Sequence, residues 1–406
     1  MKKRYAFAGA SDRGLGMYAQ PLFNDFKDVA DMVGVYDINV GRAHTFAEMS
    51  NPDMPVFEDF DTMIREAKPD YVIITCVDAY HSDYIIRALE LGCNVITEKP
   101  MTTDDEKCRA ILAAEKKYGK EVIVTFNMRF NYFATEVWKL VHDGAVGDVY
   151  NVHFEWMLEG HGGHGTSYFH RWNARMAKSA GLLVHKSTHH FDMVNWIIDQ
   201  KPVKVAAFGQ LNSYGAKNAP FQGPRCSECE HAKECPYYTE LSDFGIKFYK
   251  NNEKYDGYLK DGCVFADDID IYDTMSVNVQ YDGGAVMSYS LNANATYEGW
   301  RMVINGSKGR IEAMDYESGI ASKAPYNEIK VYDHKDNVTV HQVAKVLAGH
   351  GGGDPLLREM IFRGGIKDEF NRRAGTEAGT ASIMIGIAAN KSIKEGRMIT
   401  IQDLLD

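Results

Sequence analysis

A chain of 406 residues that is 45% hydrophobic and 25% charged has the makeup of a globular protein, and its length suits two domains better than one. The net charge of −11 lacks the basic footprint that nucleic acid requires and is repelled by an anionic membrane surface. No apolar run approaches the roughly 20 residues that span a bilayer. The stretch after Met1-Lys2-Lys3-Arg4 is too short for a signal sequence, so a cytoplasmic protein is expected.

Through residue 126 short apolar runs alternate with amphipathic stretches. Strands are expected at Tyr5 to Ala8, Val33 to Tyr36, Tyr71 to Thr75, Asn94 to Thr97 and Val122 to Phe126. Ile85, Ile86 and Leu89 mark one of the intervening helices. Apolar strands separated by helices imply a parallel sheet covered on both faces, and handedness then leaves the doubly wound Rossmann arrangement. Residues 1–126 are therefore expected to form a dinucleotide-binding domain.

Gly9-Ala10-Ser11-Asp12-Arg13-Gly14 follows the first strand and opens a helix. It departs from G-x-G-x-x-G at Ser11. Gly9 still suits the tight turn and Gly14 the close helix–strand approach, the helix amides can face a pyrophosphate, and Ser11 still lets the backbone approach and offers its hydroxyl to a phosphate. Asp37 closes the second strand, where a carboxylate accepts bonds from a ribose 2′-OH and repels a 2′-phosphate. That favours NAD over NADP, although Asp37 also suits an ordinary helix cap, and Arg42 would soften the exclusion. Glu98-Lys99-Pro100 comes directly after Asn94 to Thr97, at the strand end where ligands of such sheets gather, so Lys99 is a candidate catalytic group.

After Asn127 the pattern changes. Alternating runs at Val149 to Trp156, Val203 to Phe208, Met275 to Tyr281, Ala285 to Leu291 and Arg301 to Ile304, with turns at Asp282-Gly283-Gly284 and Asn305-Gly306, predict a predominantly antiparallel sheet in an α+β domain over 127–406. One long helix is expected from Gly181 to Ile198. It places His185, His189 and Asp192 on one face. Such a polar stripe on an apolar helix is costly unless it lines a cavity. His185 and His189 also have the spacing of a metal pair, without an adjoining third ligand. The preceding Tyr168-Phe169-His170-Arg171-Trp172 has the aromatic and basic groups that grip a sugar, or else forms an interface loop. His350 to Asp354 suits a cleft-facing turn in which Asp354 caps a helix, and Ala378 to Ile393 reads as a small-residue helix made for close packing.

A loop-rich insertion over about 212–265 carries Cys226, Cys229, Cys235 and Cys263. A structural zinc held by the four thiolates is expected, with reduced buried thiols or an iron–sulfur cluster as alternatives. Cys76, Cys93 and Cys108 are read as buried apolar residues.

The sequence resembles the glucose–fructose oxidoreductase / inositol dehydrogenase / MocA (Gfo/Idh/MocA) family. The resemblance lies in the Gly9 loop, Thr75 through His81, Glu98-Lys99-Pro100, Asn127-Met128-Arg129-Phe130, the histidine helix and the helix at Ala378. The family pattern D-x-G-x-H-x-x-D maps its histidine onto His189 and its last acid onto Asp192. Its first aspartate is His185 here and its glycine is Ser187. The resemblance implies a Rossmann domain joined to an open-faced sheet domain, with a carbohydrate bound in the cleft between them. Gly9, Ser11, Asp12, Arg13, Gly14, Asp37, Thr75, His81, Glu98, Lys99 and Asn127 would meet the cofactor, and Arg129, Tyr168, Arg171 and Trp172 the substrate. Lys99 would polarise a secondary hydroxyl, His189 would take its proton, Asp192 would orient an imidazole, and His185 would serve as a second base or donor. The expected reaction is NAD-dependent oxidation of a sugar, glycoside or cyclitol. The alternatives are a redox-neutral glycosidase or lyase that oxidises, eliminates and re-reduces, and a non-catalytic NAD-binding regulator. An exposed sheet face suits a homo-oligomer, a dimer or tetramer.

Overall fold

The protein is described by a computed structural model covering residues 2–365 and 367–406. Six parallel strands build the first sheet: β1 (Lys3–Ala8), β2 (Ala30–Tyr36), β3 (Val56–Phe57), β4 (Tyr71–Ile74), β5 (Asn94–Thr97) and β6 (Val122–Val124). Their order is β3-β2-β1-β4-β5-β6, the doubly wound arrangement. Both faces are buried, which is why these strands read as continuous apolar runs. Ala6, Ala8, Val72, Ile74 and Val95 feed one core. Their strand neighbours Tyr5, Phe7, Val35, Ile73 and Ile96 feed the other. Two-residue β3 is too short to leave a sequence pattern.

The second sheet has nine strands. These are β7 (Val149–Glu159), β8 (Pro202–Gln210), β9 (Thr274–Tyr281), β10 (Val286–Ala295), β11 (Gly299–Gly306), β12 (Gly309–Tyr316), β13 (Tyr326–Asp333), β14 (Val338–Ala344) and β15 (Ile399–Thr400). The order is β14-β13-β12-β11-β7-β10-β9-β8-β15, antiparallel except where β7 runs parallel to β10. Both expected hairpins form: Val286 pairs with Gln280 across Asp282-Gly283-Gly284, and Asn305 with Arg310 beyond Asn305-Gly306. On β9, Met275, Val277, Val279 and Tyr281 are buried while Ser276, Asn278 and Gln280 are exposed, so the sheet has one covered and one open face.

Helices lie on the covered face. The expected long helix is two, Leu182–His185 and Thr188–Ile198, broken at Lys186-Ser187. At the break Ser187 accepts a bond from the Tyr289 hydroxyl of β10 at 2.9 Å. The late helix spans Thr376–Glu395 and packs as its small residues predict, since a Cβ on Gly386 would stand 2.3 Å from the Leu183 carbonyl oxygen. It also reaches the first domain, where Thr380 meets the Cys108 thiol. The insertion is more than a loop. It contains helices Asp243–Phe248 and Glu253–Asp256 and is tied by Arg225, which donates to Asp261 and Glu253. Among the described residues no helix is long and apolar enough to cross a membrane.

Candidate active site

Strand order reverses between β1 and β4, and the chain opens a crevice at the carboxyl ends of these strands. The second domain closes the crevice into a cleft of about 820 Å3, a volume suited to small ligands. Its lining runs from Gly9 and Asp37 at one end through Lys99 to His185, His189 and Trp172 at the other.

The end nearest β1 fits a dinucleotide. Gly9 has φ +101°, and a Cβ there would sit 2.4 Å from the Cys76 amide nitrogen, so no other residue is accommodated. Gly14 lies against Thr75, whose hydroxyl donates to the Gly9 carbonyl at 2.7 Å. Ser11 replaces the middle glycine usefully: its Oγ accepts from the Gly14 amide at 2.9 Å and stiffens the loop. Buried Asp37 accepts from the Ala10 and Asn39 amides, both at 2.7 Å, and from Arg42 at 3.0 Å. Burial pushes its carboxyl up against the pull of Arg42. Arg42 is shared with Asp256 of the insertion, at 2.9 Å. A carboxylate therefore stands at the end of β2 beside the glycine loop, with the neighbouring cation engaged by two acids.

The insertion also reaches the glycine loop. The Asp12 amide donates to the Tyr249 hydroxyl at 3.0 Å, and Lys260 donates to the Asp12 carboxylate at 2.6 Å. Tyr249, Tyr258 and Lys260 thus join the lining without any signal in the sequence spacing. Arg13 is held by Glu98 at 2.7 Å and by Asp354 at 3.1 Å. Glu98 also accepts from the Tyr18 hydroxyl at 2.8 Å. Burial pushes Glu98 up, but Arg13 and Lys99 outweigh it and keep the carboxylate ionised. His81 is buried, its two ring nitrogens facing the Pro100 and Cys76 carbonyls at 2.8 and 3.2 Å, where it joins the loop after β4 to the Lys99 turn.

Lys99 projects into the middle of the cleft, and its Nζ donates to the His185 carbonyl at 3.1 Å. Burial lowers its pKa to about 8, against the favourable pull of Asp78 and Glu98. His185 Nδ1 lies 2.5 Å from the Asp78 carboxylate, and its Nε2 lies 3.2 Å from Asn173 Nδ2. His189 also lines the cleft, but its Nδ1 is buried without a partner among the described residues. Its ring centroid stands 5.6 Å from that of His350. Burial first, then Lys99, holds both His185 and His189 well below the usual histidine range, so each is a neutral imidazole. Across from them, the Tyr168 hydroxyl bonds His164 Nε2 at 2.7 Å, and His164 Nδ1 bonds Glu298 at 2.7 Å. Arg171 stacks over the Tyr168 ring at 5.2 Å, and Trp172 stands edge-on to His185. Lys186, at the helix break, adds a further cation to the lining. Asp78 and Glu298 escaped sequence reasoning because their partners lie far along the chain, and His164 and Lys186 because nothing in their spacing marked them.

Some expected residues are elsewhere. Asp192 is not free to orient an imidazole, because Arg129 Nε and Nη2 grip both of its oxygens at 2.7 and 2.6 Å. Both side chains are buried, and neither lines the cleft. Asn127 is also outside the lining. It sits behind His350, donating toward its Nδ1 at 2.9 Å and to Asp354 at 2.7 Å. The turn at His350 does face the cleft. Asp354 lies inside helix Gly353–Arg358, spends its carboxylate on His350, Arg13 and Asn127, and caps nothing. The four insertion cysteines line one small cavity of about 10 Å3. The zinc expectation nevertheless finds no support: among the described residues no group of three His, Cys, Asp or Glu side chains is disposed to hold a metal, at the thiols or at the His185–His189 pair. All are free cysteines, and burial pushes the Cys226 thiol up to about 11.

A doubly wound domain with this glycine loop, facing an open-sheet domain across a cleft, defines a dinucleotide-dependent oxidoreductase architecture. The comparisons place it more narrowly. Residues 3–126 match the model described as oxidoreductase family, NAD-binding Rossmann fold, and residues 139–401 match that family's C-terminal alpha/beta domain. The chain belongs to the Gfo/Idh/MocA oxidoreductase family. YteT of Bacillus subtilis (strain 168) is 38% identical over 427 residues, which cover 99% of this chain and 98% of that one. The D-glucoside 3-dehydrogenase of Escherichia coli (strain K12) is 25% identical over 54% of this chain and 60% of its own length. An oxidoreductase from Agrobacterium radiobacter, solved in complex with NAD+, L-tartaric acid and magnesium, matches with TM-score 0.68 at 13% identity over the full length of both chains. That likeness concerns the fold alone.

Proposed function

We propose that this chain oxidises a secondary hydroxyl of a sugar, glycoside or cyclitol, with NAD as hydride acceptor. The observation that supports this best is the meeting of Lys99, from the first domain, with His185 and His189, from the second, in one cleft that also contains the glycine loop and Asp37. NAD, when bound, supplies the hydride-accepting nicotinamide. Lys99 then donates to the hydroxyl oxygen and holds the negative charge that grows on it, while a neutral imidazole accepts the proton. Sequence alone points to His189 for that step. The substrate class is supported by relatives named D-glucoside 3-dehydrogenase and, from Lactiplantibacillus plantarum, inositol 2-dehydrogenase/D-chiro-inositol 3-dehydrogenase. The open sheet face suits association with a second copy.

A second reading is favoured by one feature, the Tyr168–His164–Glu298 chain. Ketone formation acidifies the adjacent C–H bond, and a second proton-transfer group would let the site expel a glycosidic leaving group before the hydride returns. Incubation with a panel of free sugars, cyclitols and aryl glycosides, following NADH absorbance and leaving-group release together, tests both. NADH formation without release supports the first reading. Release without net NADH supports the second, and neither event refutes both.

A further inference from the structure

We infer that His185, held in a single tautomer between Asp78 and Asn173, is the group that takes the hydroxyl proton, with Asp78 as its positioning residue. The catalytic part rests on the oxidoreductase reading, whereas the dyad stands on geometry alone. Burial pushes the Asp78 carboxyl well up against the pull of Lys99, so the tautomer is read from the far nitrogen of the ring, with Nδ1 lying 2.5 Å from Asp78. On the opposite side an Asn173 amide donor lies 3.2 Å from Nε2, which must therefore present its lone pair. Nε2 is the basic atom, and His185 lines the cleft.

His189 lacks these supports. Its Nδ1 has no partner among the described residues, and none of them fixes its tautomer or offsets the charge it would gain. Lys99, His350, Lys186 and His190 all disfavour a cation there. The groups facing His185 are similar, namely Lys99, Arg171, Lys186 and His164, with the Tyr168 and Trp172 rings each 5.5 Å away. The difference is the Asp78 carboxyl within hydrogen-bond distance of Nδ1, which accepts that nitrogen's proton and holds the ring as Nε2 takes up the substrate's. Asp78 comes from the turn after β4 and His185 from the helix Leu182–His185, so the dyad exists only when the two domains meet. Lys99 is bonded to the same residue's carbonyl, which couples the position of the polarising amine to that of the base.

The step balances. The substrate O–H proton moves to His185 Nε2, the carbinol C–H leaves as hydride to NAD, and the C–O bond becomes a carbonyl. The family's carboxylate at this position is thus replaced by an imidazole hydrogen-bonded to Asp78.

Two measurements test this. In full-length protein with 15N-labelled histidine and no substrate, the imidazole 1H–15N spectrum should show a downfield Nδ1–H proton. That signal should vanish in His185→Gln and in Asp78→Ala and persist in His189→Gln, with NAD binding confirming that each variant is folded. With NAD and myo-inositol or methyl β-D-glucoside, His185→Gln should lose about 10²–10⁴-fold in kcat. Asp78→Asn should lower kcat more than it changes KM and move the acid limb of kcat/KM to lower pH, because an amide cannot ionise beside the imidazolium. The limb should stay in place in His189→Gln. An Nε2–H tautomer at His185, or an acid limb that disappears in His189→Gln and survives in His185→Gln, would overturn the assignment. If the wild type oxidises neither polyol, the parent reading fails, and the tautomer spectrum still decides the dyad.

Discussion

Replacing Arg129 with Met removes the cation that holds Asp192, and the consequence should be structural. The pair is bidentate at 2.7 and 2.6 Å, with side chains only 9% and 1% exposed. Breaking such a pair strands a carboxylate in the core at a cost of about 3–5 kcal/mol. At roughly 2 °C per kcal/mol for a domain of this size, the thermal midpoint should fall by about 6–10 °C. The double variant Arg129→Met/Asp192→Leu should recover most of that loss, since apolar replacement of a whole buried pair is close to neutral. Differential scanning fluorimetry reads the midpoints, and NAD titration shows whether the cofactor site is intact. A single variant that keeps the wild-type midpoint while hydride transfer collapses would mean that the pair faces substrate, and the placement of Asp192 behind the cleft would have to be given up.

Other consequences are equally direct. Lys99→Ala should lower kcat by about 10²–10³-fold, the usual cost of losing a donor to a developing oxyanion, with NAD affinity little changed in fluorescence titration. Because the lysine pKa is lowered to about 8, its ammonium is present below that pH and lost above it, so the rate should decline on the alkaline side near pH 8. Asp37→Ser removes the carboxylate proposed to accept from the ribose and releases Arg42 from one of its two acids, so NAD should bind about tenfold or more weakly while NADP gains. Unchanged preference would show that Asp37 does not meet the ribose. Lys260→Ala should weaken dinucleotide binding if the insertion closes over the glycine loop, and equal affinity would confine Lys260 to steadying Asp12. Tyr168→Phe should spare NADH formation from a free polyol but suppress aryl glycoside cleavage, and loss of both would place Tyr168 in the oxidation itself.

The first domain was legible because its physics is local. Buried parallel strands must be apolar throughout, a tight turn against Cys76 admits only Gly9, and the strand-end position of Lys99 follows from counting runs. The second domain was read less fully. β14 is an edge strand exposed along most of its length, so no burial imposes alternation on it, and two-residue β15 is too short to show any. The face argument that joined His185, His189 and Asp192 assumed an unbroken helix. The chain turns at Lys186-Ser187, which still delivers both histidines to the cleft, and Asp192 sits one turn further along, where Arg129 meets it in the core. Asp78 and Glu298 had no periodicity to betray them. Their partners His185 and His164 are separated from them by 107 and 134 residues, and only folding joins such pairs. The insertion misled in another way: its four thiols suggested a metal, whereas its placement makes Tyr249, Tyr258 and Lys260 part of the cofactor end of the cleft.

One measurement bears most directly on whether an amine from one domain and an imidazole from the other work on the same alcohol across bound NAD. A polyol deuterated at the carbinol carbon is incubated with the wild type, Lys99→Ala and His185→Gln, all saturated with NAD, and label transfer to the nicotinamide is followed in a single turnover. Label should pass to the cofactor in the wild type and be slowed by orders of magnitude in each variant although the cofactor stays bound. Transfer at the wild-type rate in Lys99→Ala would contradict the account.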